Sequence, residues 1–406
     1  MPYSGTGSNT VSYLGELFLQ RKRPNALLNL LGGIQQNIRT TTSHEFPVGT
    51  FYTLPSPSQP ARLEGGDAPA ANNTTITQAT NVAQIFHESV STSYLGQGEK
   101  SVSGVVPIPQ GGANGPVINP RSPEFQVMAT LEKIAQDMNY SMLNGVYVNP
   151  GDPRSTAIQT RGILTAITTN IVDKSTVVGA ISAAMYRSYI ELLLQSMITY
   201  NGYAIDETFV MMAGPVEYSN TAAAWTALGQ IYVAPETEMF GVKVRKIQTT
   251  FGTLHLVLEP DVKGALATTV AAGHAVTTGD GAAYLTSVAG LVVGDSLNFD
   301  TAGTVETFAI TAINAGSGVV TINGAFAHDH AAGVVVTRGG IVSVLNLGAA
   351  GLVGMEVPGK GILFEEPLAK TGASDSSQIY GQFGIDHGPE YLHGIARVPQ
   401  GVALSQ

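Results

Sequence analysis

The sequence contains no cysteine. Disulfides, thiolate metal sites and cysteine nucleophiles are therefore excluded, and the composition fits assembly in a reducing cytoplasm. Charge is scarce too. Asp, Glu, Lys and Arg make up 12% of the 406 residues, about half the ~25% usual in soluble domains. Yet 44% of the residues are apolar, which separates the chain from disordered sequences. A folded protein with so few charges covers its surface with Ser, Thr, Asn, Gln, Ala and Gly. Extensive contact with other protein produces such a surface, because interface cores lose charge. No apolar run reaches the ~18 residues of a membrane span, and the N-terminus lacks the charged-then-apolar pattern of an export signal. The expectation is a soluble chain without a membrane partner. The net charge of −10 argues against a free DNA-binding protein.

One absence is local. Residues 265–337 contain five acidic residues (Asp280, Asp295, Asp300, Glu306, Asp329) and no Lys or Arg. The stretch is dense in Gly, Ala, Thr and Val. It predicts strands at 275–277, 296–299, 304–310, 318–322 and 333–337, separated by turn signals such as Gly279-Asp280-Gly281 and Asn323-Gly324. The flanks, 254–260 and 341–347, read as strands of a different unit. A small all-β domain is thus expected inside a loop of another domain, on an outer surface where insertions are tolerated.

Elsewhere the chain reads as α+β. Residues 1–40 form an arm with two short apolar patches and one dense cationic run, Arg21-Lys22-Arg23. Residues 41–120 hold strands at 46–54 and 81–94, joined by a long polar loop, with a Pro/Gly-rich linker after them. That makes an extended hairpin with little core of its own, which needs a partner to hold it. The clearest helix covers 122–145. Ser122 is its expected cap, Pro123 its first residue and Gly145 its left-handed stop. Its apolar stripe runs through Phe125, Met128, Leu131, Ile134, Met138 and Met142. Over twenty residues such a helix spans roughly 30 Å. A second helix is expected at 175–200 from a Ser175 cap, then a buried strand at 207–213, a third helix at 216–229 holding Trp225, and strands at 242–247 and 253–258. After the β insert come strands at 341–347, 361–364, 378–385 and a short one at 391–395.

A catalytic constellation is not readable. There is no Gly-x-Ser-x-Gly elbow, His-Glu-x-x-His, Walker loop or dinucleotide fingerprint. His328-Asp329-His330 has metal-ligand residue types, but at i, i+2 spacing on a turn it reads equally as a polar loop tip. Asp295 to Asp300 lacks the glycine and distal Glu of a calcium loop. Asp386-His387 reads as a polar pair at a strand end, and the Met stripe as packing. No catalytic, metal or cofactor residue is expected.

The order of parts is familiar. An arm, an extended hairpin, one long amphipathic helix, an α/β block and return strands resemble the major capsid proteins of tailed bacteriophages, whose fold is shared with encapsulins and the herpesvirus capsid floor. The local match rests on Glu64-Gly65-Gly66-Asp67-Ala68-Pro69, on Asn81-Val82-Ala83-Gln84-Ile85-Phe86, on Leu131 to Gly145, and on Thr160-Arg161-Gly162-Ile163. The resemblance implies a non-enzymatic subunit of hexamers and pentamers in an icosahedral shell around double-stranded DNA. The shell would be assembled in the host cytoplasm, with the chain itself, portal, scaffolding and decoration proteins, and non-specific packaged DNA as partners. It implies an N-terminal arm (1–40), an extended loop (41–120), a peripheral domain (121–174 and 338–406) with a spine helix at 122–145, an axial domain (175–264) and an inserted β-rich surface domain (265–337). Arg21, Lys22, Arg23 and Arg39 are the candidate inner-face or inter-subunit contacts. An encapsulin-type compartment with protein cargo, a β-rich carbohydrate-binding or adhesion protein and a hydrolase are the alternatives. The last two leave the long helix and hairpin, or the missing motifs, unexplained.

Overall fold

The computed structural model describes residues 25–31, 39–41, 43–52, 61–67, 74–95, 123–175, 177, 181–201, 205, 209–227, 237–239, 242–264, 266–301, 304–348, 355–356, 363–369 and 372–399. The expected cap Ser122 and the run Arg21-Lys22-Arg23 lie outside these residues.

A seven-stranded mixed sheet organises the body. Its strand order is Ile171–Asp173, Gly394–Val398, Gly340–Asn346, Phe209–Ala213, Gly252–Leu258, Val242–Thr249 and Thr237–Met239. Phe209–Ala213 lies at its centre, parallel to Gly252–Leu258 and antiparallel to Gly340–Asn346. All five of its residues are buried, because both faces of the sheet are covered. Phe209, Met211 and Ala213 point into one core with Tyr186, Ile190, Leu193 and Leu194 of helix Ala183–Asn201 and Trp225 of helix Pro215–Ala227. Val210 and Met212 point into the other, with Ile134, Met138, Met142 and Leu143 of the long helix Pro123–Asn144 and the segment Ala26–Leu31. Alternate residues serving opposite cores explain why this strand is a continuous apolar run rather than an alternating one. The sheet takes strands from 171–173, 209–258, 340–346 and 394–398, so it crosses the expected boundary at residue 174.

Several local expectations are corrected. Gly145 is not left-handed, since it is missing from the glycines with positive φ. Its N–H continues the helix to the Ser141 carbonyl at 2.9 Å. It must be small because a Cβ would lie 2.3 Å from the Thr160 carbonyl oxygen. The second helix begins at Ala183, where Ser182 Oγ accepts from the Met185 N–H at 3.2 Å. Ser175 instead donates to Asp173 at 2.6 Å. The strand expected at 81–94 is two strands. Ile76–Val82 pairs with Glu45–Tyr52, whereas Gln84–Ser93 pairs with Ser374–Phe383. Residues 275–277 supply a single bridge, Val276 to His330, residues 390–392 form a 3₁₀ turn, and the strand expected at 361–364 starts at Phe364.

Residues 266–338 form a six-stranded sheet in the order Leu266–Thr269, Val335–Arg338, Ser296–Thr301, Thr304–Asn314, Val319–Ile322 and Ala282–Tyr284. The Ala271 N–H donates to the Tyr284 carbonyl at 2.8 Å and the Thr286 N–H to the Thr269 carbonyl at 2.9 Å. The first strand therefore closes on the last, leaving no open edge. Leu297, Phe299, Ile310, Val320, Phe326 and Val336 fill the interior.

The apolar stripe of the long helix is used unevenly. Met138 and Met142 are fully buried, while Met128 and Leu131 are exposed. Met138→Ala or Met142→Ala is expected to cost about 2–5 kcal/mol and Met128→Ala less than about 1 kcal/mol in the unassembled subunit. Urea unfolding of the three variants measures this, and a Met128→Ala cost as large as the other two would contradict the burial pattern.

Candidate functional site

Residues with catalytic character are dispersed into structural roles. Glu306 accepts from the Ala327 N–H at 2.8 Å and pairs with the buried His330 at 2.8 Å. Burial pushes its carboxyl up, but these donors outweigh burial and hold it below the ordinary value. His330 Nδ1 also bonds Thr301 at 2.7 Å, and Asp329 caps the Thr278 N–H at 2.7 Å. The tight His-Asp-His cluster is therefore spent on fixing a loop, and no group of three metal-ligating side chains occurs among the described residues. Asp386 accepts from the Gly388 N–H at 2.9 Å, and His387 Nδ1 bonds the Gly388 carbonyl at 2.8 Å. Burial lowers the His387 pKa, and its Nε2 has no hydrogen-bond partner among the described residues, so none of their hydroxyls stands against it. Arg39 is exposed, 3.8 Å from Asp386, a surface pair worth little by itself.

What converges is a set of buried polar ties between segments far apart in sequence. Asn81, fully buried, donates to the carbonyls of Arg161 at 3.0 Å and Ile385 at 2.8 Å. It accepts from the Arg161 N–H at 2.7 Å. The Asn81 and Thr160-Arg161-Gly162 motifs thus meet physically, locking the base of the hairpin to the loop at 160–162, whose Gly162 N–H in turn meets the Gly145 carbonyl just past the long helix at 2.9 Å. A second tie holds the N-terminal segment. Glu259 accepts from the N–H groups of Ala26 and Leu27 at 2.9 and 3.2 Å. Asn139 of the long helix accepts from the Leu28 N–H at 3.1 Å and donates to Asp261 at 2.9 Å. The sequence reading missed these residues. The available signal was two carboxylates, Glu259 and Asp261, directly after an apolar strand in a charge-poor chain.

A third tie joins the β module to the body. Asp295, 3% exposed at its side chain, receives Lys263 at 2.5 Å and Arg338 at 2.8 Å. These are the cations that bound the cation-free stretch on either side. Arg338 also donates to the Gly264 carbonyl at 2.9 Å, and the Ile341 N–H meets the Lys263 carbonyl at 2.8 Å. The two chain crossings into the module are therefore side by side. Asp295, expected only as a weak calcium candidate, clamps them.

The body holds the inner half of the hairpin, where Val82 is fully buried, Glu45 accepts from Asn149 at 3.2 Å and the Phe51 ring stands edge-on to Tyr391 at 4.9 Å, but little holds its outer end. The hairpin's cluster of buried side chains is Phe46, Val48 and Ala83, while Tyr52 and Ile76 near its outer end are 65% and 72% exposed.

A family model described as SU10 major capsid protein matches residues 2–276. The chain belongs to that family. It is a capsid shell protein, and as a shell subunit it associates with copies of itself. The matched range ends shortly after the chain enters the β module. No curated protein matches the sequence. Among solved structures, the SrpI encapsulin complex of Synechococcus elongatus is similar at 10% identity and a TM-score of 0.48, over 94% of this chain and 90% of that one. The capsid of Myoviridae phage XM1 is similar at 12% identity and a TM-score of 0.45, over 94% and 95%. The capsid of an empty GTA particle is similar at 8% identity and a TM-score of 0.48, over 94% and 99%. At these values the family assignment rests on the sequence match.

The arm tie in this capsid protein is pH-sensitive. Burial pushes the Glu259 carboxyl from 4.5 up to about 7. The folded chain then binds that proton more tightly than the unfolded one. This group's contribution to stability is complete below about pH 4.5 and is lost as pH rises through 7, a change on the order of 3 kcal/mol. Glu259→Gln should flatten that slope. Denaturant midpoints of the unassembled subunit from pH 5 to 8 measure it, and parallel pH profiles for both proteins would contradict it.

Proposed function

We propose that this capsid protein forms the hexamers and pentamers of an icosahedral shell around the double-stranded DNA genome of a tailed phage, and that it has no enzymatic activity. The observation that carries this reading is the family match over residues 2–276. The described residues add consistent physical features. The outer half of the hairpin exposes its apolar side chains, as a loop lying over a neighbouring subunit would. The ionisable groups serve structural ties. In this reading residues 1–40 are an inner arm and 41–120 the extended loop. Residues 121–174 and 338–406 are the peripheral domain and 175–264 the axial domain, the two sharing the seven-stranded sheet, and 265–337 is an outward β domain. Portal, scaffolding and decoration proteins are further partners, and assembly takes place in the host cytoplasm. Electron microscopy of particles from infected cells tests the reading: closed icosahedral shells built of this chain around DNA are expected, and its absence from such shells would overturn it. Particles from infected cells that hold protein cargo instead of DNA would favour a nanocompartment.

Because the two crossings into the β module adjoin at Lys263 and Ile341, replacing 266–336 with a short Gly-Ser linker should leave shell formation intact. Loss of all shells in that deletion would make the module part of the assembly core.

The arm residues Arg21, Lys22 and Arg23, with Arg39, either touch packaged DNA in a salt-sensitive, sequence-blind way or pair with acids of a neighbouring subunit. Replacing Arg21, Lys22 and Arg23 with Gln separates the two. Normal empty shells with a packaging defect support DNA contact, and failure to assemble supports the subunit contact.

A further inference from the structure

We propose that the β module binds a neutral saccharide in a cavity of about 370 Å³ beside strand Ala282–Tyr284, a volume within the ~300–1,000 Å³ of small-ligand sites. The cavity exists because the barrel wall splits there. Strand Ala282–Tyr284 pairs with Val319–Ile322 on one side. The bonds from the Leu285 N–H to the Gly318 carbonyl and from the Ile322 N–H to the Gly281 carbonyl fix which residues face that partner: 281, 283 and 285. In an antiparallel ladder the residues between them turn their backbone groups the other way. On that side the Tyr284 carbonyl receives the Ala271 N–H at 2.8 Å. Beyond Ala271 the chain leaves this strand, and Val276 exchanges both backbone bonds with His330 at 2.8 and 2.9 Å. Ala282 is left half-buried, with a donor and an acceptor facing the gap and no partner there among the described residues.

What lines the gap suits a sugar. Tyr284, the single Tyr of the module, stacks on His274 with ring centroids 4.1 Å apart and planes 18° from parallel. Both rings line the cavity and are exposed, Tyr284 at 41%, whereas Phe299 and Phe326 fill the interior. An aromatic face attracts the C–H face of a pyranose through its negative quadrupole and by covering apolar area. Asp280 lines the same cavity. Its Oδ2 takes the Thr277 N–H and hydroxyl at 2.8 and 2.9 Å, which holds the carboxylate in place and leaves Oδ1 to accept from a sugar hydroxyl. Such a charge-assisted bond is stronger than a neutral one. Further hydroxyls, each donor and acceptor at once, match the N–H and C=O of Ala282. A ring face with a few convergent polar groups is the general make-up of a specific small-ligand site. The class is neutral because residues 265–337 hold no Lys or Arg, so no lysine or arginine of the module balances an anionic sugar, and Asp280 repels it. If the module faces outward as in the shell reading above, many copies of a weak site add up to avid attachment to a glycan-bearing surface.

A saccharide site needs only the folded chain, so it can be tested apart from shell formation. Saturation-transfer NMR on the unassembled full-length subunit should show transfer to at least one of four probes, the methyl glycosides of glucose, galactose, mannose and N-acetylglucosamine. Tyr284→Ala should weaken binding of that sugar about tenfold, as expected for loss of one stacked ring. Ala275→Trp, which fills the cavity from an exposed position, should abolish it. In the wild-type protein the same sugar should slow amide exchange at residues 273–276 and 282–284. Transfer to none of the four probes, transfer to N-acetylneuraminic acid alone, or unchanged wild-type exchange overturns the saccharide site. So does undiminished binding by a folded Ala275→Trp variant. If either variant fails to fold, the wild-type exchange decides. None of these outcomes bears on whether the chain builds shells.

Discussion

Strand Phe209–Ala213 is buried on both faces, and the rest of the body is arranged to keep it so. One face requires the helices at 183–201 and 215–227. The other requires the long helix and the segment at 26–31. Its two edges require Gly252–Leu258 and Gly340–Asn346, the strands between which the β module departs and returns. A central strand with no exposed face cannot alternate apolar and polar residues. It commits distant parts of the chain to one sheet, and so sets where the hairpin and module leave the body.

Polar side chains then fix what apolar packing leaves free. Asn81, Glu259 with Asn139, and Asp295 each bind backbone or charge from segments far along the chain. Buried and paired, they favour one arrangement, because alternatives strand a polar group without a partner. They sit where outlying parts meet the body: the hairpin base, the N-terminal segment and the module crossings. Beyond these ties the segment at 26–31 packs in the body's core and the module has a core of its own, so it is the outer end of the hairpin that has little support from its own chain. That combination, a packed body with an exposed hairpin end, suits a subunit completed by its neighbours. It also accounts for the low charge, since surfaces covered by copies of the same chain need few ions to stay solvated.

The elements legible in the sequence were those with a strong local period. The buried run at 209–213, the Met138 and Met142 stripe, and the composition break at 265–337 all follow from residues close together. What was not legible depended on contacts made across the chain. Gly145 looked like a left-handed stop and is instead a point of close approach to Thr160. The strand expected at 81–94 breaks at Ala83, whose N–H goes to the His44 carbonyl at 2.8 Å, and Asn81 leaves the ladder's side-chain pattern to bind Ile385. Asn139 sits among the apolar residues of its helix because it answers Asp261 and Leu28, neither of which is near it in sequence. Asp295 read as a loop acid because its two partners lie outside the stretch that contains it.

The central claim is that the outer end of the hairpin, beyond its base at Phe46 and Asn81, is ordered by neighbouring subunits rather than by its own chain. Amide hydrogen exchange at residues 50–52 and 76–79, in free subunits and in closed shells, tests it most directly. The account predicts fast exchange in the free subunit and strong protection in the shell, with Phe209–Ala213 protected in both. Equal protection of the hairpin end in the two states would contradict it.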